Sequence, residues 1–178
     1  MARRSGAAVG RLQQLNVLEL AVACRAAEEV GNRFVLLLLR GASTVGDWPL
    51  SVMVGLVLLV TLGGRAMALW AAASLGAVAL QSTVKRMCAR IRPCDRPGGP
   101  PQRAPIPDRG SFPSGHTLHA VMATLVMARL TPMLAVPFAL IAILIAISRV
   151  VLGVHYPSDV AAGATLGVAF GSILAVVL

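Results

Sequence analysis

Three histidines, one lysine, a handful of arginines and one aspartate are the residues whose types and spacing could do chemistry. The densest group is Ser148–Asp159, SRVVLGVHYPSD, which places Arg149, His155 and Asp159 between two apolar runs. A cation, an imidazole and a carboxylate are unfavourable at the edge of a hydrocarbon layer, so each needs a partner or a ligand there. Arg149 offers a planar fork for phosphate oxygens. His155 has the chemistry of a nucleophile, and Asp159, four residues on, could hold its imidazole in one tautomer. Pro157 suits the first turn of a helix, where its missing N–H would have no intrahelical acceptor. His155 then lies just outside a helix N-terminus, a place that favours anions. A plain ion pair between Arg149 and Asp159 would explain the charges without any reaction.

Two further groups share this character. In Lys85-RMCARI-Arg92-Pro93 the only lysine of the chain stands two helical turns from Arg92, on one face. A basic flank snorkelling at a helix end would look the same. In Ser111-Phe-Pro-Ser-Gly-His116, Pro113 marks a helix start, and Ser114 and Gly115 offer a hydroxyl and free backbone N–H groups to an anion. His116 follows where it could give a proton to a bound group, and His119 lies three residues on; a cap with a structural histidine is the plainer alternative. All three histidines of the chain fall in or beside this group and the Ser148–Asp159 group, which makes three unrelated coincidences a poor account.

The elements that must position these groups are apolar. Of 178 residues, 57% are hydrophobic, with a mean hydropathy of +0.79, far above a soluble globular chain. The expected fold is an all-α integral membrane helix bundle of five to six transmembrane helices in one domain. Trp48–Leu62 is a short span with an interfacial Trp, and Ala66–Val84 is the next. A helix starting near Pro113 runs through Val121–Leu130 to the break at Thr131-Pro132, then Met133–Ile147 and Ser158–Leu178 span in turn. Small residues in the last of these permit close helix packing. Leu12–Leu39 carries Arg25, Glu28, Glu29, Asn32 and Arg33 as one polar stripe, so residues 12–40 read as an interfacial amphipathic helix or a first span. Residues 93–112 form a long proline-rich loop, a length that is often functional. If the spans alternate, the end of the second, the start of the third and the start of the fifth share one membrane face. Lys85–Arg92, Ser114–His116 and Arg149–Asp159 then converge.

Charge narrows the partner. The net charge of +9 comes from 16 basic and 7 acidic residues. Lys85–Arg109 alone holds Lys85, Arg86, Arg90, Arg92, Arg96, Arg103 and Arg109 against Asp95 and Asp108. With no soluble basic domain, that field suits a phosphorylated small molecule or lipid headgroup rather than nucleic acid. Cys24, Cys88 and Cys94 have no metal-site spacing and read as free thiols. No cleaved leader is expected after MARRSG, since no short apolar stretch with a cleavage site follows it.

Taken in order between membrane spans, K-x6-R-P, P-S-G-H and S-R-x5-H-x3-D resemble the three signature motifs of the type 2 phosphatidic acid phosphatase superfamily. That superfamily includes membrane lipid phosphatases, soluble acid phosphatases and vanadium haloperoxidases. The resemblance runs from about Gly46 to the C-terminus, with all three motifs complete. It implies that His155 attacks phosphorus to form a phosphohistidine, that Asp159 orients its ring, and that His116 protonates the leaving group and later activates water. It also implies that Lys85, Arg92, Ser114, the Gly115 N–H and Arg149 hold the non-bridging oxygens, with no metal and no cofactor. The implied function is metal-independent dephosphorylation of a membrane lipid phosphate or diphosphate. Undecaprenyl diphosphate, phosphatidic acid, phosphatidylglycerol phosphate and lipid A 1-phosphate are the candidates. A lipid-to-lipid phosphotransferase and a non-catalytic lipid-phosphate-binding protein are the alternatives. Resemblance to bacterial members implies a multi-pass protein of the bacterial inner membrane with its site on the periplasmic face. The basic catalytic-side loop argues the other way by the positive-inside rule.

Overall fold

Apolar runs punctuated by glycine, proline and asparagine give a bundle of helices in the computed structural model. It describes residues 2–106, 108 and 110–178, with side chains from residue 16 onward; Pro107 and Arg109, included above in the loop and the basic segment, lie outside the described residues. The helices are α1 (Ala2–Glu29), α2 (Arg33–Val45), α3 (Trp48–Leu62), α4 (Gly64–Cys88), α5 (Gly115–Leu130), α6 (Ala135–Val151) and α7 (Pro157–Val177). Short 3₁₀ turns at Pro93–Asp95 and Pro132–Leu134 precede the loop and α6. No strand occurs among the described residues.

Local chemistry sets the breaks. The expected single striped helix over residues 12–40 is two helices, parted at Val30–Asn32. Asn32 caps α2, its Oδ1 accepting from the Phe34 and Val35 N–H groups at 2.8 and 3.4 Å. Gly63, at φ 85°, lets α3 end and α4 begin without an intervening loop. Between α2 and α3 the chain bends by 53° at Gly46-Asp47.

Three stretches are long and apolar enough to cross a membrane, Gly64–Asp95, Pro132–Val151 and Pro157–Val177, and the bent α2–α3 pair taken as one span makes a fourth. Helix α5, at 16 residues, is about 24 Å long. Its Leu118, Met122 and Val126 are fully buried, because α5 runs through the middle of the bundle between α6 and α7. Outward-facing Val60, Leu75, Val136, Leu140, Val168 and Val176 leave an apolar surface around it, suited to lipid.

Close packing fixes the frame. On α7, Gly163, Gly167 and Gly171 face α5, and a Cβ on Gly167 would stand 2.5 Å from the Leu118 carbonyl oxygen and 2.8 Å from Val121 Cβ. Trp70 of α4 donates its indole N–H to the Ser51 carbonyl of α3 at 2.9 Å, tying that hairpin. The proline-rich loop is held by backbone bonds to the α6–α7 turn, Cys94 N–H to the Gly153 carbonyl (3.0 Å) and Arg103 N–H to the Leu152 carbonyl (3.1 Å).

Gly167→Ala must push α7 off α5, so it is expected to destabilise the protein by about 1–3 kcal/mol, read as a lower unfolding midpoint in detergent. Gly41→Ala, where a Cβ meets nothing within 4 Å, is the control and leaves the midpoint unchanged or slightly raised.

Candidate active site

The three polar groups meet at one end of the bundle around a cavity of about 270 Å³. Lys85 arrives at the C-terminal end of α4, Arg92 from the turn after it, Gly115 and His116 from the first turn of α5, Arg149 from the last turn of α6, and His155 from the α6–α7 turn. The expected convergence of the three groups is therefore what the fold shows.

His155 is 2% exposed, with its ring set between two partners. Nδ1 lies 3.5 Å from Asp159 Oδ2, one helical turn into α7, and Nε2 lies 3.4 Å from Arg92 Nη1 on the cavity side. The His155 N–H donates to the Arg149 carbonyl at 3.0 Å, which fixes the turn that presents the ring. Burial pushes the imidazole pKa down to about 4, an effect only partly offset by Asp159 and reinforced by Arg149 and Arg92. At neutral pH the ring is uncharged, and Nε2 can carry the free lone pair when Nδ1–H points at Asp159.

Asp159 is fully buried behind His155 rather than in the cavity. Its Oδ2 accepts the Tyr156 N–H at 2.8 Å and its Oδ1 pairs with Arg90 Nη1 at 2.6 Å. Arg92, 1% exposed, donates from Nη1 to the Val154 carbonyl (2.7 Å) and from Nη2 to Asp108 Oδ1 (2.7 Å). Lys85 Nζ pairs with Asp108 Oδ2 at 2.7 Å. Burial alone would raise the Asp108 pKa, but the hydrogen bond and charge of Lys85, then of Arg92, outweigh it and hold the carboxyl below its usual range. Asp108 thus sits on two cavity cations much as a phosphate would. Arg149, 1% exposed, donates from Nη1 to Ser43 of α2, and its buried Nε has no partner.

On α5, a Cβ at Gly115 would meet the end of the Gln81 side chain of α4, which would have to turn aside. His116 and His119 both line the cavity, and His119 Nδ1 meets the Gly115 carbonyl at 3.0 Å. Ser114 is placed differently from the expectation of a phosphate donor. It is fully buried behind the cavity, its hydroxyl paired with Thr117 Oγ1 at 3.0 Å and its N–H given to the Asp159 carbonyl at 2.9 Å. Residues 93–112 do border the site through Asp108, and Cys24, Cys88 and Cys94 are free.

The sequence reading missed Arg90, Glu19, Ser43, Asp108 and Gln81 as partners of the site. Their pairings cross 69, 106 or more modest stretches of chain, as Arg90 to Asp159 and Ser43 to Arg149 show, and no local spacing signals them. The cavity's other flank is lined by Trp48, Leu75 and Val78, all exposed on the lipid-facing side of α3 and α4. Taken together, three cavity-lining cations, three imidazoles and an apolar flank suit a phosphate carried on a hydrophobic group.

Residues 65–178 match the family model described as the PAP2 superfamily. The chain is 37% identical over 142 residues to decaprenylphosphoryl-5-phosphoribose phosphatase of Mycobacterium tuberculosis, covering 76% of each chain. It is 42% identical over 67 residues to the lipid A 1-phosphatase of Rhizobium johnstonii, covering 38% of this chain and 28% of that one. Its fold is similar to the transmembrane PAP2 type phosphatidylglycerolphosphate phosphatase of Bacillus subtilis, with a TM-score of 0.75 at 24% identity over 90% of this chain and 84% of that one. It is equally similar to Aquifex aeolicus LpxE, with a TM-score of 0.76 at 21% identity over 88% and 94% of the two chains. With residues of all three motifs lining one cavity and this family model covering most of its length, the chain belongs to the PAP2 superfamily.

Proposed function

We propose that this membrane phosphatase hydrolyses the terminal phosphate of a membrane lipid phosphate or diphosphate through a phosphohistidine on His155. The observation that carries this reading is the neutral, buried His155 ring, with Nε2 facing a cavity lined by Lys85, Arg92 and Arg149 and Nδ1 facing Asp159. Phosphate enters by taking over Lys85 and Arg92 from Asp108, and the unpartnered Arg149 Nε adds a donor. His155 Nε2 attacks phosphorus, the bond to the leaving oxygen breaks, and His116 gives that oxygen its proton. Water then attacks the phosphohistidine, His116 takes its proton, the P–N bond breaks and inorganic phosphate leaves. Throughout, Asp159 balances the charge that builds on the ring, and the cations and the Gly115 N–H hold the oxygens whose charge is redistributed.

The lipid tail lies along Trp48, Leu75 and Val78, entering sideways from the bilayer. The 37%-identical mycobacterial relative supports a polyprenyl-linked substrate. Phosphate release by purified protein in detergent with EDTA, across decaprenylphosphoryl-5-phosphoribose, undecaprenyl diphosphate, phosphatidic acid and phosphatidylglycerol phosphate, identifies it. His155→Ala is expected to lose at least about 10³-fold in kcat and His116→Ala about 10²–10⁴-fold. Turnover surviving in His155→Ala overturns the nucleophile assignment. If the donor lipid loses its phosphate only when a second lipid is supplied, and the phosphate appears on that lipid rather than in solution, the phosphotransferase alternative holds instead.

Protonating His155 removes its lone pair. Because burial lowers its pKa from the usual 6.5 to about 4, the acid-side loss of kcat/KM due to this ring is expected near pH 4 rather than near 6.5. A pH–rate profile of phosphate release checks this, and a half-loss near pH 6.5 contradicts it.

The relatives named above are bacterial, which supports a place in the cell membrane with the site on the periplasmic face. The exposed thiol of Cys88, at the catalytic end of α4, reports the orientation. A membrane-impermeant maleimide should label intact spheroplasts in wild type and label Cys88→Ser less; protection until lysis places the site in the cytoplasm.

A further inference from the structure

Arg90 has no place among the phosphate-binding groups, and it does not line the cavity. It is nonetheless held on both nitrogens of its fork. One nitrogen, Nη1, donates to Asp159 Oδ1 at 2.6 Å and to Ser158 Oγ at 2.7 Å. The other, Nη2, donates to Glu19 Oε2 at 2.5 Å and Asn16 Oδ1 at 2.8 Å, both on α1. Its guanidinium carbon lies 4.1 Å from the centre of the Tyr156 ring. Glu19 reaches past it to accept the Ser158 N–H at 2.7 Å, an anion set on the free N–H groups that open α7.

This geometry decides what Asp159 can do. A fully buried carboxylate needs every lone pair answered, and its two oxygens are divided between opposite tasks. Oδ2 faces the Tyr156 N–H and His155 Nδ1, while Oδ1 has only Arg90. With Oδ1 held by Arg90 and Oδ2 by the Tyr156 N–H, the carboxyl plane is fixed, and Oδ2 stands 3.5 Å from His155 Nδ1. A planar fork does this while joining two carboxylates; a lysine ammonium offers one point charge in place of the rigid fork. Asn16 and Glu19 lie outside residues 65–178, the part that matches the family model, so the outer half of the clamp is supplied by the N-terminal helix.

We propose that Arg90, held by Glu19 and Asn16 of α1, is a positioning residue that fixes Asp159 against His155. The proposal rests on the reading of His155 as nucleophile. It makes the docking of α1 on the bundle a condition of turnover rather than of phosphate binding.

Kinetics of the purified full chain with the best substrate of the panel test it. Arg90→Ala is expected to lower kcat about 10- to 100-fold, the usual effect of losing a supporting partner one step removed from the reacting group. KM should stay within about 3-fold, since the phosphate cations are untouched. Arg90→Lys should recover part of the loss. Glu19→Gln, which leaves Arg90 in place and keeps α1 uncut, should lower kcat about 3- to 10-fold. In an Asp159→Asn background both substitutions should change kcat by less than about 3-fold, because residues acting as a unit are not additive. Wild-type kcat in Arg90→Ala, or equal losses in the two backgrounds, overturns the clamp and leaves the nucleophile reading intact. Wild-type kcat in Asp159→Asn overturns the role of Asp159 itself, and the clamp with it. If Arg90→Ala does not fold, Glu19→Gln and Arg90→Lys decide by the same comparison.

Discussion

One backbone bond joins the two helix starts on which the site depends. Ser114, capping α5, gives its N–H to the carbonyl of Asp159 in the first turn of α7. The approach is possible because Gly163, one turn further along α7, leaves no Cβ to strike the Ser114 carbonyl. Gly167 and Gly171 continue the same contact along α5. His116 and His155 are mounted on these two starts, so the spacing of the two imidazoles follows from backbone packing rather than from side-chain adjustment. A polar bond at this depth is strong because water does not compete for it.

Around that frame the site holds more positive charge than the described protein groups answer. Lys85, Arg92 and Arg149 surround the cavity, while Asp108 is shared by the first two, and Arg149 has a hydroxyl for one nitrogen and nothing for Nε. Like charges held close in a poorly hydrated place repel, and the surrounding fold has to hold them there. Arg92 is anchored by the Val154 carbonyl and Lys85 by the end of a long apolar helix. The ligand that relieves the repulsion is a dianion with several acceptor oxygens, which is the form of a phosphate monoester. The charge excess is therefore a binding energy stored in the empty fold.

Much of this was legible in the chain itself. Lys85, Arg92, His116, Arg149 and His155, picked out by side-chain type and motif, all line one cavity. The direction of a side chain is less legible: Ser114 belongs to the motif, yet its hydroxyl and N–H are spent on Thr117 and Asp159. Pairings across great sequence distance were not legible at all, as Arg90 with Glu19 and Arg149 with Ser43 show. Residues 12–40 mislead for a different reason. A polar stripe at helical spacing crosses Gly31-Asn32 without a change of phase, although the Asn32 side chain caps a new helix there. The central place of α5 was not legible either, because hydropathy measures apolar length and does not register that neighbouring helices enclose it.

The apolar flank of the cavity has a kinetic meaning. Trp48, Leu75 and Val78 face the place where lipid chains lie, and a substrate arriving there diffuses in two dimensions. The quantity that saturates such a site is the mole fraction of substrate in the layer, not its molarity in the aqueous phase. Adding inert lipid or detergent at fixed substrate therefore dilutes the reactant, whatever the volume of the sample. A molecule that imitates only the phosphate must reach the cations without the gain of partitioning into the layer, so affinity for this site has to be built into the tail as much as into the headgroup.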